Sequence, residues 1–189
     1  MQTDELNRRL VHNYIGQLSN RDVPHRRILL SFCGVPGSGK TTLAKMLTRD
    51  LRAQYIRHDD IRAMIRYEGY EPSKMSMGPI STIVANTILA NDANKFIIID
   101  AGQDRQWERF FAHAKEWKAQ PIIIRLNVSK ELLQERLSRR DSKTTNHRRN
   151  LELFIEQFEN CKKHVVADIE LVADYNYDEV LARVKELVS

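Results

Sequence analysis

ILLSFCGVPGSGKTTLAKML, residues 28–47, decides the fold. It opens on a short, β-rich run, apolar apart from Ser31, of the kind that is buried on both faces of a sheet. Glycines at 34, 37 and 39 break that run. Lys40 to Leu51 then reads as a helix with Leu43, Met46 and Leu47 turned inward. Strand, glycine loop and helix arrive in the order that the pattern G-x-x-x-x-G-K-[ST] requires, over Gly34–Thr41. The residue types suit one task. Glycines let the chain curl until successive N–H groups point inward as a nest for anionic oxygens, and the helix that begins at Lys40 adds its positive end. Gly34, Pro36, Gly37, Ser38, Gly39, Lys40, Thr41 and Thr42 are therefore the candidate residues for binding a nucleoside triphosphate. Lys40 is expected to reach the β- and γ-phosphates, and the Thr41 hydroxyl to ligate Mg²⁺.

Working outward, the same alternation recurs. AQYIRHD (53–59), FIIID (96–100), PIIIRLN (121–127) and DIELVAD (168–174) read as four more strands. Helices are expected from Asp60 to Tyr67, Pro79 to about Asn91, Asp104 to Trp117, after Ser129 to about Arg140, on to about His164, and from Asp178 to Val188. Ser129 suits an N-cap, and Pro79 a first helical position. Five strand–helix alternations imply an α/β three-layer fold with a five-stranded parallel sheet, order 2-3-1-4-5. Residues 1–27 read as an N-terminal amphipathic helix (4–18) and a connector. Residues 28–189 form the catalytic domain, with a helical lid at about 136–149.

Three further stretches carry chemistry. FIIID ends in Asp100, which would place a carboxylate beside Thr41 and the Mg²⁺; an acid capping the next helix is the alternative reading. HDDIR (58–62) follows the second strand, at the sheet edge where α/β sites form. Asp59, first past the strand, is the candidate general base, Asp60 an N-cap, and Arg62 a group that holds an anion beside the base. On spacing alone, a capping acid pair with a surface Arg reads equally well. ERLSRRDSK (135–143) places Arg136 and Arg140 four apart on one helix face, able to grip one phosphate chain; a solvated basic helix end is the alternative reading. Arg139 points elsewhere.

Charge supports a local phosphate site. The 189 residues carry 30 Lys and Arg against 25 Asp and Glu, net +5. Six of the basic residues, with Asp141 as the single acid, lie between Arg136 and Arg149, so the remainder is near neutral. A long nucleic-acid footprint would spread its charge over a face. No apolar run approaches the length of a membrane span, and the first ten residues carry acids and no apolar stretch, so a cytoplasmic location is the expectation. Cys33 and Cys161 show no disulfide or metal spacing, and Cys33 reads as a small buried residue.

Taken together, GVPGSGKTTLAK, RHDDIR, IIIDAGQDRQWERFFAHAK and ELLQERLSRRDSK resemble the 5′-hydroxyl polynucleotide kinase domain of phage polynucleotide kinase-phosphatase, the small P-loop kinases around it and, more loosely, zeta toxins. The similarity covers about half of the chain. It implies a P-loop NTPase fold, ATP and Mg²⁺, and a hydroxyl-bearing acceptor: a nucleic-acid 5′ end first, a small metabolite or nucleotide sugar second. It implies that Asp59 activates the acceptor hydroxyl, that Arg62 contacts the acceptor's phosphate or the transferring group, and that Arg136 and Arg140 belong to the lid. Ala101-Gly102 departs from the small polar residues that follow the strand-end acid in the polynucleotide kinase. A nucleotide-dependent switch with slow hydrolysis is the third class; an acid with a neighbouring Arg in the base position argues against it.

Overall fold

A computed structural model describes residues 27–72, 77–90, 96–139 and 149–188. The helix expected over 4–18, Arg140, Lys143 and most of the expected lid lie outside the described residues. Along those described run β1 (Ile28–Cys33), α1 (Lys40–Asp50), β2 (Gln54–Arg57), α2 (His58–Tyr67), α3 (Met77–Ala90), β3 (Phe96–Gly102), α4 (Trp107–Glu116), β4 (Gln120–Leu126), α5 (Lys130–Ser138), α6 (Leu151–His164), β5 (Ile169–Leu171) and α7 (Tyr177–Val188). A 3₁₀ turn, Gln103–Arg105, joins β3 to α4.

The sheet is parallel throughout, in the expected order β2-β3-β1-β4-β5. β1 lies at its centre, and the two-residue period of a strand sorts the core into two sides. Ile28, Leu30 and Phe32 pack with Leu43 and Leu47 of α1 and Val180 and Val184 of α7. Leu29 and Cys33 face Ile61 and Ile65 of α2, Val84 of α3, Phe110 of α4, Leu133 of α5 and Cys161 of α6. All six residues of β1 are buried. Each large apolar side chain so removed from water contributes roughly 1.5–3 kcal/mol, which is why this strand reads as an almost unbroken apolar run. Arg125 is the polar intruder in β4. It is buried, and donates to Glu170 at 2.5 Å and to the Val165 carbonyl, so its charge is paired and not stranded.

Several boundaries differ from the sequence reading. β2 stops at Arg57 and α2 starts at His58, so Asp59 is the second residue of the helix and not the first past the strand. Two acids in a first turn favour the positive helix end, and the helix reaches back to the strand. Asp60 is not an N-cap: Arg57 holds that position, and the Asp60 carboxylate pairs with the Arg57 guanidinium at 3.1 Å. α3 starts at Met77, which leaves Pro79 still within a first turn whose N–H groups need no helical partner. β3 runs on to Gly102, and Asp104 lies in the 3₁₀ turn, before α4 begins. β5 is three residues long, with Val172 beyond it exposed. Ser129 caps α5 as expected, accepting from the Leu132 N–H at 3.3 Å. No helix among the described residues is long and apolar enough to cross a membrane.

Candidate active site

β1 ends inside the sheet and α1 begins at Lys40, so the six residues between them must turn tightly. Gly34 adopts φ +154°, and a Cβ there would meet Ser38 Oγ at 2.7 Å and the Leu126 carbonyl at 3.1 Å. Gly39, at the N-cap of α1, sits at φ +107°. The Ser38 N–H donates to the Val35 carbonyl at 3.0 Å and closes the curl. Lys40 Nζ donates to the carbonyls of Gly34 and Val35. The Ser38 hydroxyl is buried without a hydrogen-bond partner among the described residues, and the first turn of α1 holds no acid. A cradle that a single Cβ would fill, an orphaned buried hydroxyl and an uncapped positive helix end fit a phosphate chain.

Thr41, one residue into α1, donates through Oγ1 to Asp100 Oδ1 at 3.3 Å. Asp100 is only 8% exposed, and the sheet itself aims it. The β1–β3 register slips here, from Ser31↔Ile99 to Phe32↔Gly102, so Asp100 and Ala101 drop out of the β1 ladder. Tyr55 of β2 donates its hydroxyl to Asp100 Oδ2 at 2.6 Å, and Arg57 Nε stands 3.6 Å from the same oxygen. Burial, together with that bond, pushes the Tyr55 phenol well above its usual range, so it stays a donor. A hydroxyl and a carboxylate oxygen side by side are hard ligands of the kind Mg²⁺ takes; the residues fit the ion.

Further candidate residues stand on α2. Asp59 is exposed, accepts from Arg62 at 2.6 Å, and lies 3.5 Å from Arg57. Asp59, Arg62, Lys40, Thr41 and Asp100 line one cleft of about 590 Å³. His58 lines it too, and its imidazole is pushed down to about 4, first by burial and then by Arg62. The folded chain therefore refuses a proton that an unfolded histidine accepts near 6.5. Stability is expected to fall as pH drops from about 6.5 towards 4. Urea unfolding of wild type and of His58→Gln at pH 7.5 and pH 5 checks this: the variant should lose less on acidification, and equal losses would contradict it.

Of the arginines expected in the lid, Arg136 donates through Nη1 to the carbonyls of Gly37 and Ser38, at 3.4 and 3.3 Å, which sets it against the phosphate loop. Arg139 pairs with Glu135 on the surface, as expected.

Four features escaped the sequence reading. Tyr55 is one; its place opposite Asp100 depends on strand pairing. Asp104 is a second: it accepts the Gly34 N–H at 2.9 Å, and burial holds its carboxyl above the usual range against the opposing pull of Lys40. The third is the further lining of the cleft by Arg66, Arg105, Phe154 and Gln157. Only Arg66 left a signal, four residues after Arg62. The fourth is a contact between the two cysteines, buried as expected of Cys33 but with Sγ atoms 3.4 Å apart. With Asp104 they bring three ligand atoms within 4.8 Å of one another, although their spacing along the chain suggested nothing. The Cys33 thiol is pushed up by its bond to Cys161 and by burial.

The fold, with its glycine loop between β1 and α1, is that of a P-loop domain. The chain belongs to the AAA domain family, whose model matches residues 29–161. It is 26% identical over 181 residues to the UPF0200 protein of Hyperthermus butylicus, covering 87% of this chain and 95% of that one. Among solved structures it is similar to the tunicamycin resistance protein of Deinococcus radiodurans (16% identity, 87% and 96% of the two chains, TM-score 0.62). It is similar also to a gluconokinase from Sinorhizobium meliloti (18%, 89% and 95%, TM-score 0.56). At these identities the shared property is the fold. The coarser part of the resemblance drawn from sequence, a P-loop kinase-like domain, stands.

Proposed function

We propose that the chain is an ATP-dependent kinase that transfers the γ-phosphoryl group to a hydroxyl. The observation that carries this is the opening of the phosphate cradle, the Thr41–Asp100 pair and the exposed Asp59 carboxylate into one cleft. In this reading the loop N–H groups and Lys40 hold the triphosphate. Thr41 and Asp100 would hold Mg²⁺, which would supply positive charge to the phosphates. Asp59 accepts the proton of the attacking hydroxyl. Arg136, against the loop, stabilises the phosphoryl oxygens as charge spreads over them, and Arg140 is assigned the same task from its sequence spacing alone.

For the acceptor, a polynucleotide 5′-hydroxyl comes first, on the strength of RHDDIR and the basic groups around Asp59. A small metabolite comes second. It is favoured by a cleft of about 590 Å³, the size of a site that encloses a small molecule, and by a solved relative named for gluconate phosphorylation. The test is transfer from γ-labelled ATP with Mg²⁺, offering 5′-hydroxyl oligonucleotides beside a panel of sugars, polyols and hydroxy acids. Label on a metabolite and none on oligonucleotides overturns the first acceptor. Label released only as inorganic phosphate overturns both and leaves a slow hydrolytic switch.

A further inference from the structure

We infer that the acceptor carries an anionic group, a phosphate ester or a carboxylate, seated between Arg66 and Arg105 while its hydroxyl meets Asp59. This rests on the kinase reading above and names the chemical class of the acceptor. Asp59, Arg62 and Arg66 stand at i, i+3 and i+7 of α2, so they share one helix face. Arg105 lines the same cleft from the turn after β3, and its guanidinium lies 5.9 Å over the Phe154 ring of α6, a cation–π contact that holds it in place before anything binds.

The charges around the cleft leave these two arginines over. Four basic residues line it (Lys40, Arg62, Arg66, Arg105) against three acids (Asp59, Asp100, Asp104), with His58 neutral near pH 7. Each acid has its own partners: Asp59 has Arg62 and Arg57, Asp100 has Tyr55, Thr41 and Arg57, and Asp104 has the Gly34 N–H. Arg62 is spent on Asp59, and Lys40 lies at the phosphate loop. No carboxylate among the described residues makes an ion pair with Arg66 or Arg105. A neutral polyol would leave both cations facing only its hydroxyls. A phosphate or carboxylate matches the guanidinium fork in charge and geometry.

A second observation points to a bound polar molecule in the same cleft. Gln157, one helical turn after Phe154 on α6, lines the cleft with a buried side-chain oxygen that has no hydrogen-bond partner among the described residues. A ligand O–H or N–H would complete it, since a buried acceptor left unpaired is costly. The spacing sets a scale. Arg66 lies seven residues from Asp59, about 10 Å along the helix axis, so the anion is expected within about one to two helical turns of the reacting hydroxyl.

The test has two arms. In the first, inorganic phosphate is titrated calorimetrically into full-length protein whose phosphate loop is filled with Mg²⁺ and a non-hydrolysable ATP analogue. Wild type should bind phosphate, and Arg66→Gln/Arg105→Gln should bind it about tenfold more weakly or worse, with analogue affinity unchanged. No binding by wild type, equal binding by the double variant, or an adventitious ion only, whose affinity the variant does not alter, overturns the inference. In the second arm, labelled ATP is offered with matched pairs: a nucleoside 3′-monophosphate against the nucleoside, a sugar phosphate against the sugar, and a hydroxy acid against its amide. The anionic member should be labelled at least about tenfold faster in wild type, and the preference should collapse in the double variant. The pair that responds identifies the source. Equal labelling within every pair sinks the inference and leaves the kinase reading intact. Arginine-dependent phosphate binding with no acceptor labelled does the reverse: it upholds the anion seat and counts against the kinase reading.

Discussion

Asp59→Asn is expected to slow phosphoryl transfer by about 10²–10⁴-fold, the range for loss of a positioned general base, while ATP affinity stays within about twofold of wild type. The amide keeps the size of the carboxylate and loses its capacity to take the hydroxyl proton. The fold should barely register the change. The pair with Arg62 is largely solvated, with side chains 37% and 63% exposed, and such pairs are worth about 0–1 kcal/mol. Asp60→Asn is the control, because that carboxylate is paired with Arg57 and does not line the cleft. Single-turnover kinetics beside an ATP dissociation constant separate the effects. Undiminished transfer in Asp59→Asn, or an equal loss in the Asp60 control, would remove Asp59 from the base role.

Lys40→Ala is the second large effect. It should weaken ATP binding and reduce transfer by about 10²–10³-fold, the loss typical of one positioned charge at developing oxyanions. The ammonium lies at the mouth of the cradle, held by the Gly34 and Val35 carbonyls, so the substitution removes the one side-chain cation that the loop itself supplies. Lys40→Arg should fail to rescue, because a planar fork does not replace a compact point charge. An unaltered ATP dissociation constant in Lys40→Ala would contradict the assignment.

The glycine-loop cradle was legible in the sequence because it is local. Strand, glycines, Lys-Thr and helix are consecutive, and their spacing alone dictates the cradle. Sheet order was legible for a related reason: five apolar runs separated by helices leave few parallel topologies. The proposed acceptor half was not, because it is assembled across the fold. α2 brings Asp59, Arg62 and Arg66, the turn after β3 brings Arg105, and α6 brings Phe154 and Gln157. No spacing along the chain links those three pieces. The misplacement of Asp59 and Asp60 has a local cause. IRHD carries both β-branched and capping signals, and the competition was settled by the pairing of β2, whose ladder with β3 ends at Arg57↔Asp100. Asp100 was found by type and place, but what aims it is the slip in register beside Ala101, which apolar patterning does not encode.

The contact between Cys33 and Cys161 turns the chain into its own opening gauge. Both thiols are buried, so a thiol reagent reaches them only when the end of β1 parts from α6, and the rate of labelling reports how often that happens. Cys33 immediately precedes Gly34. Any ligand that grips the loop favours the closed form by mass action, so labelling should slow in proportion to occupancy. Binding of a triphosphate would then be read as a clock, with no chromophore or label attached to the nucleotide.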